Sequence, residues 1–156
     1  MKLMKNNNFY KFILILIINF ISLNSVYSEQ FNFDVTEIEI FNKGNLYKGL
    51  KRGTITTDDG IIIEANTFIY NKITNIVDAE GNVKVEDTIN NYVLFSDTAT
   101  YKKNEEIVIT EGNSKGIDDK NRTITSDKLT YNKITNIVDA EGNVKVEDTI
   151  NNYVLF

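Results

Sequence analysis

The segment Tyr70–Phe95 recurs letter for letter as Tyr131–Phe156, 26 residues repeated at an offset of 61. A diverged copy lies between them. A fixed period of this kind means stacked supersecondary units, each burying its apolar face on the next. The chain is therefore read as an array. Tyr70, Tyr101 and Tyr131 are spaced 31 and 30 apart, and Gly81, Gly112 and Gly142 share those spacings. The common skeleton is an alternating strand, Ala or Ser followed by Asn or Asp, Tyr, a polar turn, Ile-Val, Glu-Gly-Asn, a second strand and an acidic turn. A further unit begins at Asn151 and stops at Phe156, where the first copy continues Ser96–Tyr101. The domain is therefore expected to be truncated at its C-terminus.

Apolar residues alternate with period two after Glu29, and no stretch there carries helical periodicity with caps. Phe31, Phe33 and Val35 share one parity, Ile38 and Ile40 the other. Thr54–Thr57 and Ile61–Ala65 flank Asp58-Asp59-Gly60, which predicts a hairpin with a tight primed turn. Glu80-Gly81-Asn82, Glu111-Gly112-Asn113 and Glu141-Gly142-Asn143 are expected to be turns between strands, giving about four short strands per unit. One parity faces inward: Ile61, Ile63 and Ala65, then Phe68 and Tyr70, then Val77 and Ala79, then Val83 and Val85. The switch between Ala65 and Phe68 predicts a corner or bulge at Asn66-Thr67. The expected fold is all-β, a stacked antiparallel meander.

Met1–Ser28 reads as a secretory signal peptide. Lys2, Lys5 and Lys11 precede an apolar run, Phe12–Leu23, and Val26-Tyr27-Ser28 sets small residues at −3 and −1. The run is shorter than the ~20 residues that span a bilayer. Export with cleavage before Glu29, to which an uncleaved anchor is the alternative, leaves a mature domain 29–156. It has 14 basic against 22 acidic residues once the three leader lysines are removed. That balance argues against nucleic-acid binding, which needs a basic face. The chain has no Cys, so neither disulfides nor lipoprotein processing contributes.

Cys and His are both absent, which removes Ser-His-Asp and Cys-His triads and zinc sites built on those ligands. Asp58-Asp59, Asp118-Asp119 and Glu105-Glu106 fall in turns and are read as solvated rather than as acid/base pairs. No catalytic residue, metal site or cofactor is expected.

The pattern resembles the OstA-like (LptA-like) family of lipopolysaccharide transport. The residues that carry the resemblance are I-x-I-x-A-[ND]-x-x-x-Y at Ile61–Tyr70 and V-x-A-x-G-N-V-x-V at Val77–Val85. Weaker forms recur at Tyr92–Tyr101 and Val108–Gly116, and strong ones at Ile124–Tyr131 and Val138–Val146. The resemblance covers essentially Glu29–Phe156. It implies a twisted, partly open β-jellyroll in the periplasm whose apolar groove holds the acyl chains of lipid A. On the inward positions that groove is Ile63, Phe68, Tyr70, Val77, Val83, Val85, Leu94, Tyr101, Val108, Ile124, Leu129, Tyr131, Val138, Val144 and Val146. Ser114 and Gly116 depart from the family's apolar preference, which weakens that rung as a lipid contact. The implied partners are lipopolysaccharide and other transport proteins, joined by β-augmentation at open strand edges, with head-to-tail self-association. Both a free periplasmic bridge protein and the N-terminal domain of the larger outer-membrane assembly protein fit. The rival readings are a structural β-solenoid, such as an adhesin-like passenger, and a β-helix polysaccharide lyase or hydrolase.

Overall fold

A computed structural model describes residues 31–148, 151 and 153–155. The expected signal segment, Met1–Ser28, lies outside the described residues. Thirteen strands form one sheet: β1 (Phe31–Asp34), β2 (Ile38–Phe41), β3 (Leu46–Gly49), β4 (Gly53–Thr57), β5 (Ile61–Ala65), β6 (Thr67–Asn71), β7 (Ile76–Asp87), β8 (Tyr92–Lys102), β9 (Ile107–Ile117), β10 (Thr123–Asn132), β11 (Ile137–Glu141), β12 (Lys145–Asp148) and β13 (Tyr153–Leu155). The only helical turn among the described residues is Asn42–Gly44. No helix there is long and apolar enough to cross a membrane. Every strand pairing is antiparallel. The parallel coils of a solenoid or β-helix are not present in the described sheet.

Four strands are much longer than the sequence suggests. β7 has 12 residues, β8 and β9 have 11 each, and β10 has 10. Glu80-Gly81-Asn82 and Glu111-Gly112-Asn113 are not turns. They lie inside β7 and β9, where the register slips between Glu80 and Val83 in β7 and between Glu111 and Lys115 in β9, opposite Thr98 and Phe95 of β8. The glycine and asparagine both adopt the left-handed region, with φ of +82° and +47° at Gly81 and Asn82 and +77° and +48° at Gly112 and Asn113. Those are the conformations a β-bulge needs, and the bulge bends the strand rather than ending it.

The bulges align into a crease. On one side, β2, β3, β6, Ile76–Glu80, Thr98–Lys102, Ile107–Glu111, Lys128–Asn132 and β11 form a first leaf. On the other, β1, β4, β5, Val83–Asp87, Tyr92–Ser96, Lys115–Ile117, Thr123–Ser126, β12 and β13 form a second. Aromatic contacts show that the leaves face each other: Phe31 on the second lies 4.4 Å from Tyr70 on the first, and Tyr92 stacks 5.0 Å from Tyr131. Small buried residues line the crease (Ala65, Ala79, Ser96, Ala99, Ser114 and Ser126). Phe68, Tyr101, Leu129 and Tyr131 fill the wider space beyond it. This wedge is the twisted open jellyroll that the resemblance implies, built on the antiparallel meander that the repeat predicts.

The corner at Asn66-Thr67 is where the sequence places it. Asn66 separates β5 from β6 and donates its backbone N–H to Gly81 O at 3.0 Å. Asp127 does the same to Gly142 O at 2.8 Å two units of the array later. The β4–β5 hairpin also forms, but only Gly60 takes positive φ, at +87°. Thr57 closes this turn by accepting Ile61 N–H at 2.9 Å, so a three-residue loop replaces the primed turn.

Candidate functional site

The space between the leaves is the site the sequence points to. Of the expected groove residues, Ile63, Phe68, Tyr70, Val77, Val83, Val85, Leu94, Tyr101, Val108, Leu129 and Tyr131 form one continuous buried cluster. Ile124 and Val138 pack against it half-buried, and Val144 and Val146 are half-buried at the same end. Most of the groove is thus a closed interior rather than an accessible trough: Val77, Tyr101, Val108 and Leu129 are all 0% exposed. Burial of each Val, Leu or Phe side chain contributes about 1.5–3 kcal/mol, so the leaves hold together chiefly through this contact.

The two ends of the interior differ. At the N-terminal end, Phe31, Phe33, Tyr47 and Tyr70 close it, with ring centroids 4.4–6.0 Å apart. The alternation put Phe31 and Phe33 on one face, but gave no sign of their closure by Tyr47. At the C-terminal end the leaves diverge around a cavity of about 310 Å³. Its apolar wall is Tyr92, Ile124, Val138 and Val146; its polar lip includes Asn90, Asp118, Asp119, Arg122 and Asn136. That volume is at the small end of the range for ligand pockets.

Opposite the crease, the rims of the leaves meet through polar side chains. Tyr101 donates its hydroxyl to Asp59 Oδ2. Lys103 Nζ sits 2.5 Å from Asp58 Oδ1 and 3.1 Å from Asp59 Oδ1, the latter an ion pair off the line of a hydrogen bond. Tyr131 donates to Asp87 Oδ2 at 2.9 Å, and Asn90 Nδ2 donates to Tyr131 at 3.0 Å and to Lys133 O at 3.3 Å. Lys133 Nζ approaches Asp59 at 3.8 Å and Glu106 at 3.7 Å. Asp59 is therefore not the solvated turn residue the sequence suggests, and Asp87 is only 1% exposed. Burial alone would raise the Asp59 pKa, but its polar contacts with Thr57 and Tyr101 and the Lys103 ammonium outweigh it and hold the carboxyl below its usual value. Burial, then the Asp59 bond and charge, push the Tyr101 hydroxyl far up; burial and Asp87 do the same to Tyr131. Sequence reasoning missed this rim because its partners are 42 and 44 residues apart. The only signal was positional: Asp59, Asp87 and Asp118 all fall where one strand gives way to the next.

Among the described residues, no three carboxylates cluster to hold a metal ion. A family model described as OstA-like protein matches residues 25–149. The chain belongs to the OstA-like family. Membership of this family places the chain among non-enzymatic proteins. Among solved structures, the OstA-like chain is similar to LptH, the LptA-homologous periplasmic component of the lipopolysaccharide transport device from Pseudomonas aeruginosa. The likeness has a TM-score of 0.68 at 15% identity and covers 75% of this chain and 93% of that one. It establishes the shared jellyroll. No curated protein matches the sequence significantly.

Proposed function

We propose that this OstA-like chain carries lipopolysaccharide between membranes, holding lipid A acyl chains between its leaves while sugars and phosphates stay in water. The observation that carries this reading is the single apolar interior, which gathers residues of β1 and of β4 to β10 and packs against Tyr92, Ile124 and Val138 in the wall of the cavity. An acyl chain outside a bilayer needs cover worth about 0.8 kcal/mol per CH₂. A wedge of sheet with one apolar face supplies that cover without chemistry. The OstA-like family and the jellyroll shared with LptH support the same role.

Under this reading the leader directs the chain to the periplasm, and a link to an outer-membrane assembly protein would bring it to that membrane. The partners are other transport proteins that add strands at the sheet edges. β2 is the natural candidate, because Ile38, Ile40 and Phe41 are 39%, 59% and 45% exposed on an edge strand bonded on one side only. Head-to-tail self-association through such edges belongs to the same proposal.

Photo-crosslinking in lipopolysaccharide-producing cells tests it. A photoreactive residue at Ile124, Val138 or Val146, and at Phe68, Leu94 or Tyr131, is expected to form lipopolysaccharide adducts. Outward Lys84 and Glu86, which pair at 2.7 Å on the surface, serve as controls. Equal yields at the two sets would refute the reading.

A further inference from the structure

We propose that the polar rim is a releasable clasp, and that an acyl chain reaches the interior sideways, by parting Tyr101 from Asp59 and Tyr131 from Asp87. The inference rests on the lipid-carrying reading above and adds the route. Along the crease the leaves are joined covalently, since β7, β8, β9 and β10 run through it. Along the rim they are joined by side chains alone. The Tyr101 and Lys103 contacts to Asp58 and Asp59 tie one pair of rungs, and the Tyr131, Asn90 and Asp87 contacts tie the next. Directly beneath them Ile63, Val77 and Leu129 are at most 1% exposed. A guest longer than the terminal cavity therefore displaces this packing, and the rim is the side without a covalent link.

The chemistry of the rim suits release. On opening, each tyrosine hydroxyl and carboxylate exchanges its protein partner for water, so little hydrogen bonding is lost in the exchange. The apolar surface exposed at the same moment is what an arriving acyl chain covers. An apolar seam would lack this balance, because opening it would only add exposed surface. The clasp also sits across the wedge from the bulges, where Gly-Asn pairs in left-handed backbone bend the strands that join the leaves.

The chain has no Cys, so a thiol lock is clean. The Asp58→Cys/Lys103→Cys variant of the full chain removes part of the clasp, and a cleavable dithio-bismaleimide then replaces it covalently across the rims. Uptake of a fatty acid bearing an environment-sensitive fluorophore is followed by stopped flow, with urea unfolding as the check on integrity. Free thiols, or Tyr101→Phe, are expected to speed uptake about tenfold, the factor that corresponds to loss of one charge-assisted hydrogen bond. The bridged protein is expected to slow it at least as much, with recovery after reduction. Uptake indifferent to the bridge would overturn the clasp alone and assign access to the open C-terminal end. No uptake by the wild-type chain would overturn the lipid reading and the clasp together.

Discussion

Thr110 is wholly buried, paired in register with Ala99 on one side and Leu129 on the other, and its Oγ1 has no hydrogen-bond partner among the described residues. A buried hydroxyl without a partner costs about 1–3 kcal/mol, and valine has nearly the same shape. Thr110→Val is therefore expected to stabilise the fold by roughly 1 kcal/mol, read as a higher urea midpoint at unchanged slope. A lower midpoint would mean that the hydroxyl is satisfied after all. Gly116 shows the opposite economy of space. A Cβ there would meet the Tyr92 hydroxyl oxygen at 2.4 Å, so Tyr92 fills the position that the sequence marks as a gap in the apolar face. Inward and outward residues were legible at this scale because period-two alternation is local. The environment of a single letter was not. Lys72 is exposed while its verbatim counterpart Lys133 is 8% exposed, because only the latter reaches Asp59 and Glu106 across the rim.

Among the elements, the crease is the device that turns a flat meander into a wedge. Gly112 holds φ of +77°, and a Cβ there would lie 2.5 Å from Asp97 Oδ2. Gly112→Ala meets both backbone strain and a clash with the side chain that accepts Asn113 Nδ2 at 2.9 Å. The expected loss is roughly 1–3 kcal/mol by urea unfolding. Gly44→Ala separates the two causes, because Gly44 has φ of +88° with nothing within 4 Å of its would-be Cβ. It should cost less than Gly112→Ala; equal costs would show that steric fit at the crease is unimportant. Glu-Gly-Asn looked like a turn because a hairpin and a bulge ask for the same left-handed residues. What distinguishes them is the partner strand, and β8 runs unbroken past the bulge in β7. The identical segments make the same point. Ile76–Asp87 is one continuous strand where β8 pairs its length, whereas the same letters from Ile137 to Asp148 divide into β11 and β12, which pair with β10 on separate leaves. Strand content was thus readable from the sequence, but strand length and the crease depend on neighbours that no local window contains.

For the molecule as a whole, the closed interior makes stability depend on pH at both ends, and the tyrosines set the alkaline one. Burial, followed by the Asp118 charge, pushes Tyr92 up to about 12, and Tyr101 and Tyr131 stand further above their ordinary value of 10.0. In the unfolded chain the same groups lose their protons near pH 10. Above that point the unfolded state binds fewer protons than the folded one, so stability falls as pH rises. Lys103 adds to the trend: despite burial, Asp58 and Asp59 raise its pKa above 10.5, so its contribution is complete below 10.5 and is lost as pH climbs through the folded value. On the acid side Asp59 and Asp118 lie below 3.8, held down by hydrogen bonds that outweigh their burial. Their contribution is present above 3.8 and disappears as pH falls through the folded values. Stability is therefore expected to be flat across neutral pH, with an alkaline decline that begins near 10. A titration followed by tyrosinate absorbance and far-ultraviolet circular dichroism checks it. Tyr70, Tyr92, Tyr101 and Tyr131, all raised by burial, should ionise only together with loss of the β signal. Tyrosinate appearing at all positions near pH 10 without unfolding would mean that water already fills the space between the leaves. An acyl chain would then displace water rather than part a packed, clasped interior.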